Sequence, residues 1–422
     1  MILIFFIKEG IVTMKLFSDG RSSFLMTFDF QKKYDIAVAG AGVAGIAAAL
    51  AAARRGHKVV LLEKQMLIGG LATSGLIYIY LPLCDGQGTQ VTFGISEEML
   101  RAGVEFSPFD IPEKWGGKPG GRNFRAGRYD CDFSPAGMIL SLDDLLKKAG
   151  VDLWLDTRVC AVQKSGDKVT ALEVENTSGR ILVQAGAFVD ASGEAIIIRR
   201  ADGAVECDYN NLSLWLIENS PEADKSNYYF GKTLRVKPFM FAKNDIAPGD
   251  GMDGKKVTEF TRVCYKHLRE FYRESYQTSN RYEHYPIHLP AMPQFRKIAA
   301  AKCQFMLDTD GYGVHHEDSV GLTGDWRAPG PVWETPLRSL VPETLDGVFA
   351  AGRCMGAIND AWEVYRVIPT AAMTGEAAGL AAALTVEKQC DSRALDYKLV
   401  QDALRKKDVP LHLSDVNLTG EL

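Results

Sequence analysis

No two of the eight cysteines stand at a C-x-x-C spacing; they fall singly at Cys84, Cys131, Cys160, Cys207, Cys264, Cys303, Cys354 and Cys390. That absence removes the usual signature of a zinc site, an iron–sulfur site or a dithiol redox pair. Scattered single thiols in a long chain fit a reducing compartment, so a cytoplasmic setting is expected. The opening stretch from Met1 to Ile7 is too short to span a membrane, and it lacks the basic flank and small-residue cleavage site of a secretory signal. Met14 and Met26 offer alternative starts, and residues 1–31 are expected to be a frayed N-terminal extension, with the ordered protein beginning near Lys32. Charge of one sign is scarce too: 48 basic residues face 53 acidic ones, a net charge of −5. Neither nucleic acid nor an anionic membrane is expected as a partner. There is no internal repeat and no low-complexity tract.

What is present is an ordinary globular composition, 46% hydrophobic and 24% charged over 422 residues, enough for two or three domains. Its strongest local signal begins at Tyr34. Residues 35–39, DIAVA, read as a buried parallel strand. Gly40-Ala41-Gly42-Val43-Ala44-Gly45 follows, then the alanine-rich helix former IAAALAAARR, closed by Gly56, then a second strand in Lys58–Lys64. In this strand–turn–helix–strand context each glycine has a reason. Gly40 permits the tight turn, Gly42 lets a pyrophosphate approach the backbone, and Gly45 lets helix and strand pack closely. Free N–H groups at the helix start face the phosphates. Glu63, at the end of the second strand, is placed to accept from ribose hydroxyls. The unit implies a dinucleotide without choosing between NAD and FAD.

Further along, helices are expected over Ile95–Ala102 and Pro135–Ala149. Strands at Thr157–Lys164, Lys168–Glu175 and Arg180–Gln184 form an antiparallel meander, with a separate strand over Ala187–Gly193. Residues 205–335, richer in aromatics and prolines, read as an inserted domain with one long helix, Val257–Tyr276. A long small-residue helix is expected over Ala371–Leu384, and another over Lys398–Lys406. The domain reading is an extension at 1–31, a discontinuous cofactor domain at 32–204 and 336–390, the insertion at 205–335 and a helical tail at 391–422.

Three further segments carry a resemblance. Gly69-Gly70 followed by Ala72-Thr73-Ser74-Gly75 resembles the second glycine motif of flavoproteins with a glutathione-reductase-like FAD fold. Val189-Asp190-Ala191-Ser192-Gly193-Glu194-Ala195 resembles their V-D-A-T-G-D-A segment, with Ser for Thr and Glu for Asp. Val348-Phe349-Ala350-Ala351-Gly352-Arg353 resembles their C-terminal strand, after which a helix points its N-terminus at the flavin. The likeness is to the FAD-dependent oxidoreductase family that includes the flavin subunit of heterodisulfide reductase. It spans about residues 34–390, with runs at 71–91, 318–336 and 351–379 similar to uncharacterised bacterial members. It departs at Arg353, where many such proteins place an acid, and in lacking iron–sulfur cysteines.

The resemblance implies an α/β fold: a Rossmann-like FAD-binding domain with an antiparallel β-meander and an inserted α+β substrate domain. It implies FAD contacts from Gly40, Gly42, Val43, Ala44 and Gly45, from Glu63 and Lys64, and from Gly69, Gly70, Leu71, Ala72 and Thr73. Val159, Ala191, Ser192 and Gly193 would join them, as would Gly352, Arg353, Arg366, Pro369, Thr370, Ala371 and Ala372. Thr370 is expected to cap the Ala371–Leu384 helix, with free N–H groups from Thr370 to Ala372 facing the flavin's N1–C2=O edge, where a helix N-terminus favours the anionic reduced form.

Catalytic candidates are Arg366, to fix the flavin or hold an anionic substrate over it, His316 as an acid–base group, and Arg296, which the resemblance implies because the family often shows an arginine-rich run where this chain has PQFRKIAAAK. The run His315-His316-Glu317-Asp318 cannot form one site, because neighbours on a strand face opposite ways. Pro286 between His284 and His288 argues against a helical zinc pair, so no metal is expected. Cys84 reads as a structural thiol, and Arg122, Arg125 and Arg128 as a solvated loop. The expected activity is hydride transfer between flavin N5 and a small polar organic substrate, with an electron donor or acceptor that the sequence does not name and a homodimer possible. The alternatives are a flavoprotein with isomerase or hydratase chemistry and an electron-transfer flavin subunit. No second Rossmann motif for NAD(P)H is present.

Overall fold

The computed structural model describes residues 2–7, 10–16, 22–24, 28, 30–119, 128–209, 213–225, 230–240 and 251–419. Within the segment expected to be frayed, Ile2–Ile7, Gly10–Leu16 and Ser22–Phe24 pair as a separate three-stranded antiparallel sheet. The main sheet starts with β1 (Phe30–Ala39), followed by α1 (Val43–Ala53) and β2 (Val59–Leu62). Helices α2 (Ile95–Gly103) and α3 (Pro135–Lys148) come next; Ser134 caps α3 by accepting from the Gly137 N–H, and Pro135 opens it. After them run β3 (Asp152–Trp154), β4 (Arg158–Ser165), β5 (Lys168–Asn176) and β6 (Gly179–Asp190). The sheet order is β3-β2-β1-β6-β5-β4.

β6 corrects the expectation of two strands separated near Ala185. The residues Ala185-Gly186 read as a break, yet β1 pairs in parallel with both flanks, Ala185 with Tyr34 and Ala187 with Ile36. The ladder carries one strand through twelve residues. Its first half runs antiparallel to β5, and its last three residues pair in parallel with Val348–Ala350. One strand therefore belongs to the meander and to the nucleotide-type sheet at once. The ends of β1 and β2 are buried on both faces, as a parallel sheet covered by helices requires.

The insertion has its own small core. Ser213–Asn219 pairs antiparallel with Leu234–Met240 and with Tyr285–His288. The amphipathic helix Gly254–Ser275, capped by Asp253, packs Phe260, Cys264, Leu268 and Tyr272 against Leu214, Leu216 and Phe295. The hairpin Ser319–Gly324/Val332–Pro336 also falls within the expected insertion, but Val320 and Trp333 join the main core instead.

The helices Asn359–Tyr365 and Ile368–Lys388 meet at an 87° bend. No single helix among the described residues is long and apolar enough to cross a membrane. The second of the pair, α4 below (Ile368–Lys388), is buried from Ile368 to Thr385. It lies against α1 with almost no side chain between the two backbones. A Cβ on Gly375 would overlap the Ala44 carbonyl oxygen, and one on Gly379 the Ala48 carbonyl oxygen. This contact explains why both helices are built from alanine and glycine.

Gly375→Ala should therefore force the helices apart at a cost of about 1–3 kcal/mol, read as a lowered thermal midpoint. Gly254→Ala, where an added Cβ meets nothing within 4 Å, should leave the midpoint unchanged. Equal midpoints for the two variants would refute this account of the α1–α4 contact.

Candidate cofactor and substrate site

The β1–α1 turn forms the floor of a long cleft. Gly40 has φ of +94°, and a Cβ there would lie 2.7 Å from the Ala191 carbonyl oxygen and the Ser192 Cα. Glycine is required on both counts. A Cβ on Gly45 would overlap the Gly40 carbonyl oxygen, so Gly45 serves packing and does not line the cleft. Gly42 differs: a Cβ there meets nothing within 4 Å, because the residue faces the opening. Gly42 is also the N-cap of α1 and offers no side-chain cap. The orphan N–H groups of the first turn, beside Val43 and Ala44, are left for an anion in the cleft.

Glu63 stands at the end of β2, buried in the cleft wall. Its Oε2 accepts from the Ala41 N–H at 2.8 Å and its Oε1 from the Gln65 N–H at 2.9 Å. Burial pushes its carboxyl above the ordinary value, and these two N–H groups with the neighbouring Lys64 pull it back. Each oxygen keeps a lone pair for a ribose hydroxyl. Lys64 pairs with Glu194 at 2.9 Å across the cleft; Glu194 is a lining residue the sequence reading did not single out.

Gly69, Gly70, Leu71 and Ala72 line the cleft on one side. Thr73 does not; its hydroxyl donates to the Ile68 carbonyl and fixes the loop. Ala191, Ser192, Gly193 and Val159 line another side. The Asp190 of that motif is fully buried, accepting from Ser192 Oγ at 2.7 Å and from the Ile197 N–H at 2.7 Å. It shapes the turn rather than touching the opening. The cleft holds about 1090 Å³, its mouth open to solvent.

The start of α4 corrects one expectation. Val367, not Thr370, is the N-cap, and no side chain caps this helix. Thr370 lies inside the first turn, with its hydroxyl hydrogen-bonded to Thr323 Oγ1 at 2.8 Å. The Ala371 N–H is taken by the Val367 carbonyl at 2.8 Å. The donors without an intrahelical partner thus belong to Val367, Ile368 and Thr370, since Pro369 has none. Ile368 and Ala371 line the cleft; Pro369, Thr370 and Ala372 lie behind that surface. Proline at the second helical position, not the first, moved the cap earlier than the sequence suggested.

Gly352, with Arg353 and Arg366, closes the cleft at this end. Arg353 presses against Gly193, and its Nη1 donates to the Phe295 carbonyl. It forms no ion pair with a carboxylate among the described residues, and burial lowers its pKa. A buried cation beside two uncapped helix starts fits a pyrophosphate-bearing dinucleotide, as the open face of Gly42 does.

A second chamber of about 1210 Å³ continues from the cleft, sharing Leu71, Ala72, Arg353, Arg366 and Ile368 with it. Ile77, Ile79, Leu81, Pro82, Trp215 and Trp326 make its walls apolar. Four arginines, Arg128, Arg296, Arg353 and Arg366, and one carboxylate, Asp130, break them. Arg366 is paired with Glu363 and lies over the Trp326 ring. Arg296 meets only neutral acceptors, Ser213 Oγ at 2.7 Å and Gln294 Oε1 at 3.1 Å. Burial, with Arg366 nearby, lowers its pKa to about 10, so it remains charged at neutral pH. Arg128, expected on a solvated loop, instead donates to the Trp326 and Asp325 carbonyls on the chamber wall. Arg122 and Arg125 lie outside the described residues. The tryptophans and aliphatic residues were missed because apolar residues in sequence read equally well as core.

His316 is not brought to this site. It is buried against Phe305 and lines two other cavities, so the acid–base role expected for it has no support here. Cys84 is buried, donates to the Arg128 carbonyl and has a pKa raised by burial, as a structural thiol would. His284 is bound by Glu218 and Ser275 within the insertion, while His288 is exposed.

Gly42→Ala should weaken FAD binding at least tenfold, a loss of about 1.4 kcal/mol, while the apoprotein keeps its thermal midpoint. Flavin fluorescence titration together with melting of the apoprotein checks both halves; unchanged affinity would remove Gly42 from the cofactor's path.

The chain matches the FAD dependent oxidoreductase family over residues 35–293 and 296–404. It is 25% identical over 293 residues to digeranylgeranylglycerophospholipid reductase 1 of Methanococcoides burtonii, covering 64% of this chain and 66% of that protein. It is 28% identical over 191 residues to the NADH:fumarate oxidoreductase of Klebsiella pneumoniae, covering 38% and 20%. The chain thus spans just under two thirds of the first relative and one fifth of the second. A geranylgeranyl bacteriochlorophyll reductase-like protein from Thermoplasma acidophilum shares the fold with a TM-score of 0.50 at 15% identity, covering 92% of this chain and 89% of that one. The p-nitrophenol 4-monooxygenase of Pseudomonas putida shares it with a TM-score of 0.52 at 10% identity, covering 88% and 84%. With the family matched over most of its length, this chain belongs to the FAD dependent oxidoreductases, and FAD is its cofactor.

Proposed function

We propose that this oxidoreductase acts by hydride transfer on an organic anion, a carboxylate or phosphate ester with an apolar body. Arg296 carries the reading: a half-buried cation with no carboxylate partner among the described residues, set in apolar walls that adjoin the cofactor cleft. Burying such a charge costs several kcal/mol unless an anion returns the lost solvation. Its planar fork suits two-point binding of carboxylate or phosphate. The small polar substrate expected from sequence is narrowed accordingly. The methanogen relative is named as a reductase of a phospholipid, a molecule that joins an anionic group to an apolar one. Both chemistries meet in this chamber.

FAD supplies the hydride acceptance or donation, at its N5. The chain's own residues bind and orient. Arg296 and Arg128 would hold the anionic end, Trp215, Trp326 and the aliphatic wall would exclude water, and the uncapped start of α4 would favour negative charge beside it.

Anaerobic mixing of the FAD-loaded protein with a series of unsaturated and hydroxylated acids and phosphate esters tests this, in both redox directions. A redox substrate changes the flavin band persistently. Arg296→Met should then raise KM about 10- to 100-fold, the equivalent of the 1.5–3 kcal/mol carried by a hydrogen bond to a charged group, with a smaller change in kcat. Equal turnover of neutral analogues would overturn the anion reading. Turnover without any flavin change would favour the isomerase or hydratase alternative.

A further inference from the structure

A second polar centre lies away from the cleft. Glu334, in the strand Val332–Pro336, is almost fully buried, and no lysine or arginine pairs with it among the described residues. Two backbone donors fix its carboxylate: the Leu413 N–H at 3.0 Å from Oε1 and the His316 N–H at 2.8 Å from Oε2. Two imidazoles converge on the same Oε2. His315 Nδ1 is 3.3 Å away and His412 Nδ1 3.1 Å away, and the two rings stand 4.8 Å apart. One ligand atom from each of the three residues lies within 4.8 Å of the other two.

We propose that His315, Glu334 and His412 form a binding site for a divalent late first-row metal ion, zinc being the best match. Zinc holds imidazole nitrogen and carboxylate oxygen at about 2.0–2.2 Å in a tetrahedron. The edges of such a tetrahedron are about 3.3–3.6 Å by that geometry. The two observed nitrogen–oxygen separations are already close to that length, and the two imidazole ligand atoms lie within 4.8 Å of each other. Two imidazoles and one carboxylate favour zinc over magnesium or calcium, which prefer all-oxygen shells. The backbone donors to Glu334 supply the outer hydrogen bonds that orient a ligating carboxylate. His315 is mostly exposed, which leaves an entry path and a coordination position for water. The objection to a single site within His315–Asp318 holds, since His316 turns inward; the partners of His315 come instead from distant stretches. A bound ion would join three of them, the loop at His315, the strand at Glu334 and the tail at His412, and so fasten residues 409–416 to the core.

The full-length, FAD-loaded chain, stripped with EDTA and dialysed, is titrated with zinc chloride by calorimetry. One ion per chain with micromolar or tighter affinity is expected. Cobalt chloride should give the visible bands of a tetrahedral site, to the red of the flavin absorption. His315→Ala sits on the surface and should fold normally, which its flavin spectrum would verify; it should weaken zinc binding at least tenfold, as should His412→Ala. Zinc should also protect the tail beyond residue 409 from limited proteolysis in the wild type and not in the variants. Failure of the wild type to bind zinc stoichiometrically, or undiminished binding by the two variants, would overturn the site.

Discussion

The contact on which the rest depends is the one between α1 and α4. Backbone meets backbone where Gly375 and Gly379 face Ala44 and Ala48. Dispersion forces fall off so quickly with separation that one methyl group at the seam would forfeit much of the attraction. The geometry has a second result. Two helices packed this closely present their N-termini to the same opening, one at Gly42 and one at Val367. Neither has a side-chain cap, so the partial positive charge of both ends is left to the cofactor.

The sequence made the β1–α1–β2 unit legible because Gly40, Gly42, Gly45 and Glu63 each answer to a local constraint, of turn, approach, packing or polar contact. The loop at Gly69 and the turn after Asp190 were legible only through the family resemblance. Long-range pairing was harder to read. β6 looked like two strands, since only its parallel partner, from much earlier in the chain, carries it through Ala185 and Gly186. The cap of α4 was set one turn too late, because Thr370 is a better capping residue than Val367 by composition; its hydroxyl is spent on Thr323 in the folded chain. His316 drew attention by type and lies buried against Phe305, away from the cleft, whereas the chamber's aromatic and aliphatic walls had no polar label to distinguish them.

The arginines show how burial and function pull against each other. Among the described residues Arg353 and Arg296 hydrogen-bond only to neutral acceptors, with Glu194 and Glu363 acting on them from a distance. A stability-driven core would replace them with apolar groups. On the proposed reading, an anion bound in the chamber would offset the cost of burying them. Apolar walls heighten the effect, because each charge interaction strengthens as water leaves. On that reading, specificity for charge and tolerance of an apolar body would come from one arrangement.

β6 has a consequence for how the chain is made. Its central position in the sheet places residues from both ends of the polypeptide on either side of it: β1 on one edge and Val348–Ala350 on the other. During synthesis, β1, α1 and the meander emerge first, but the surface of α1 that α4 covers remains wet until the ribosome has passed residue 388. Loop closure over so long a stretch is slow, and exposed alanine-rich surface in the interval invites association with other nascent chains.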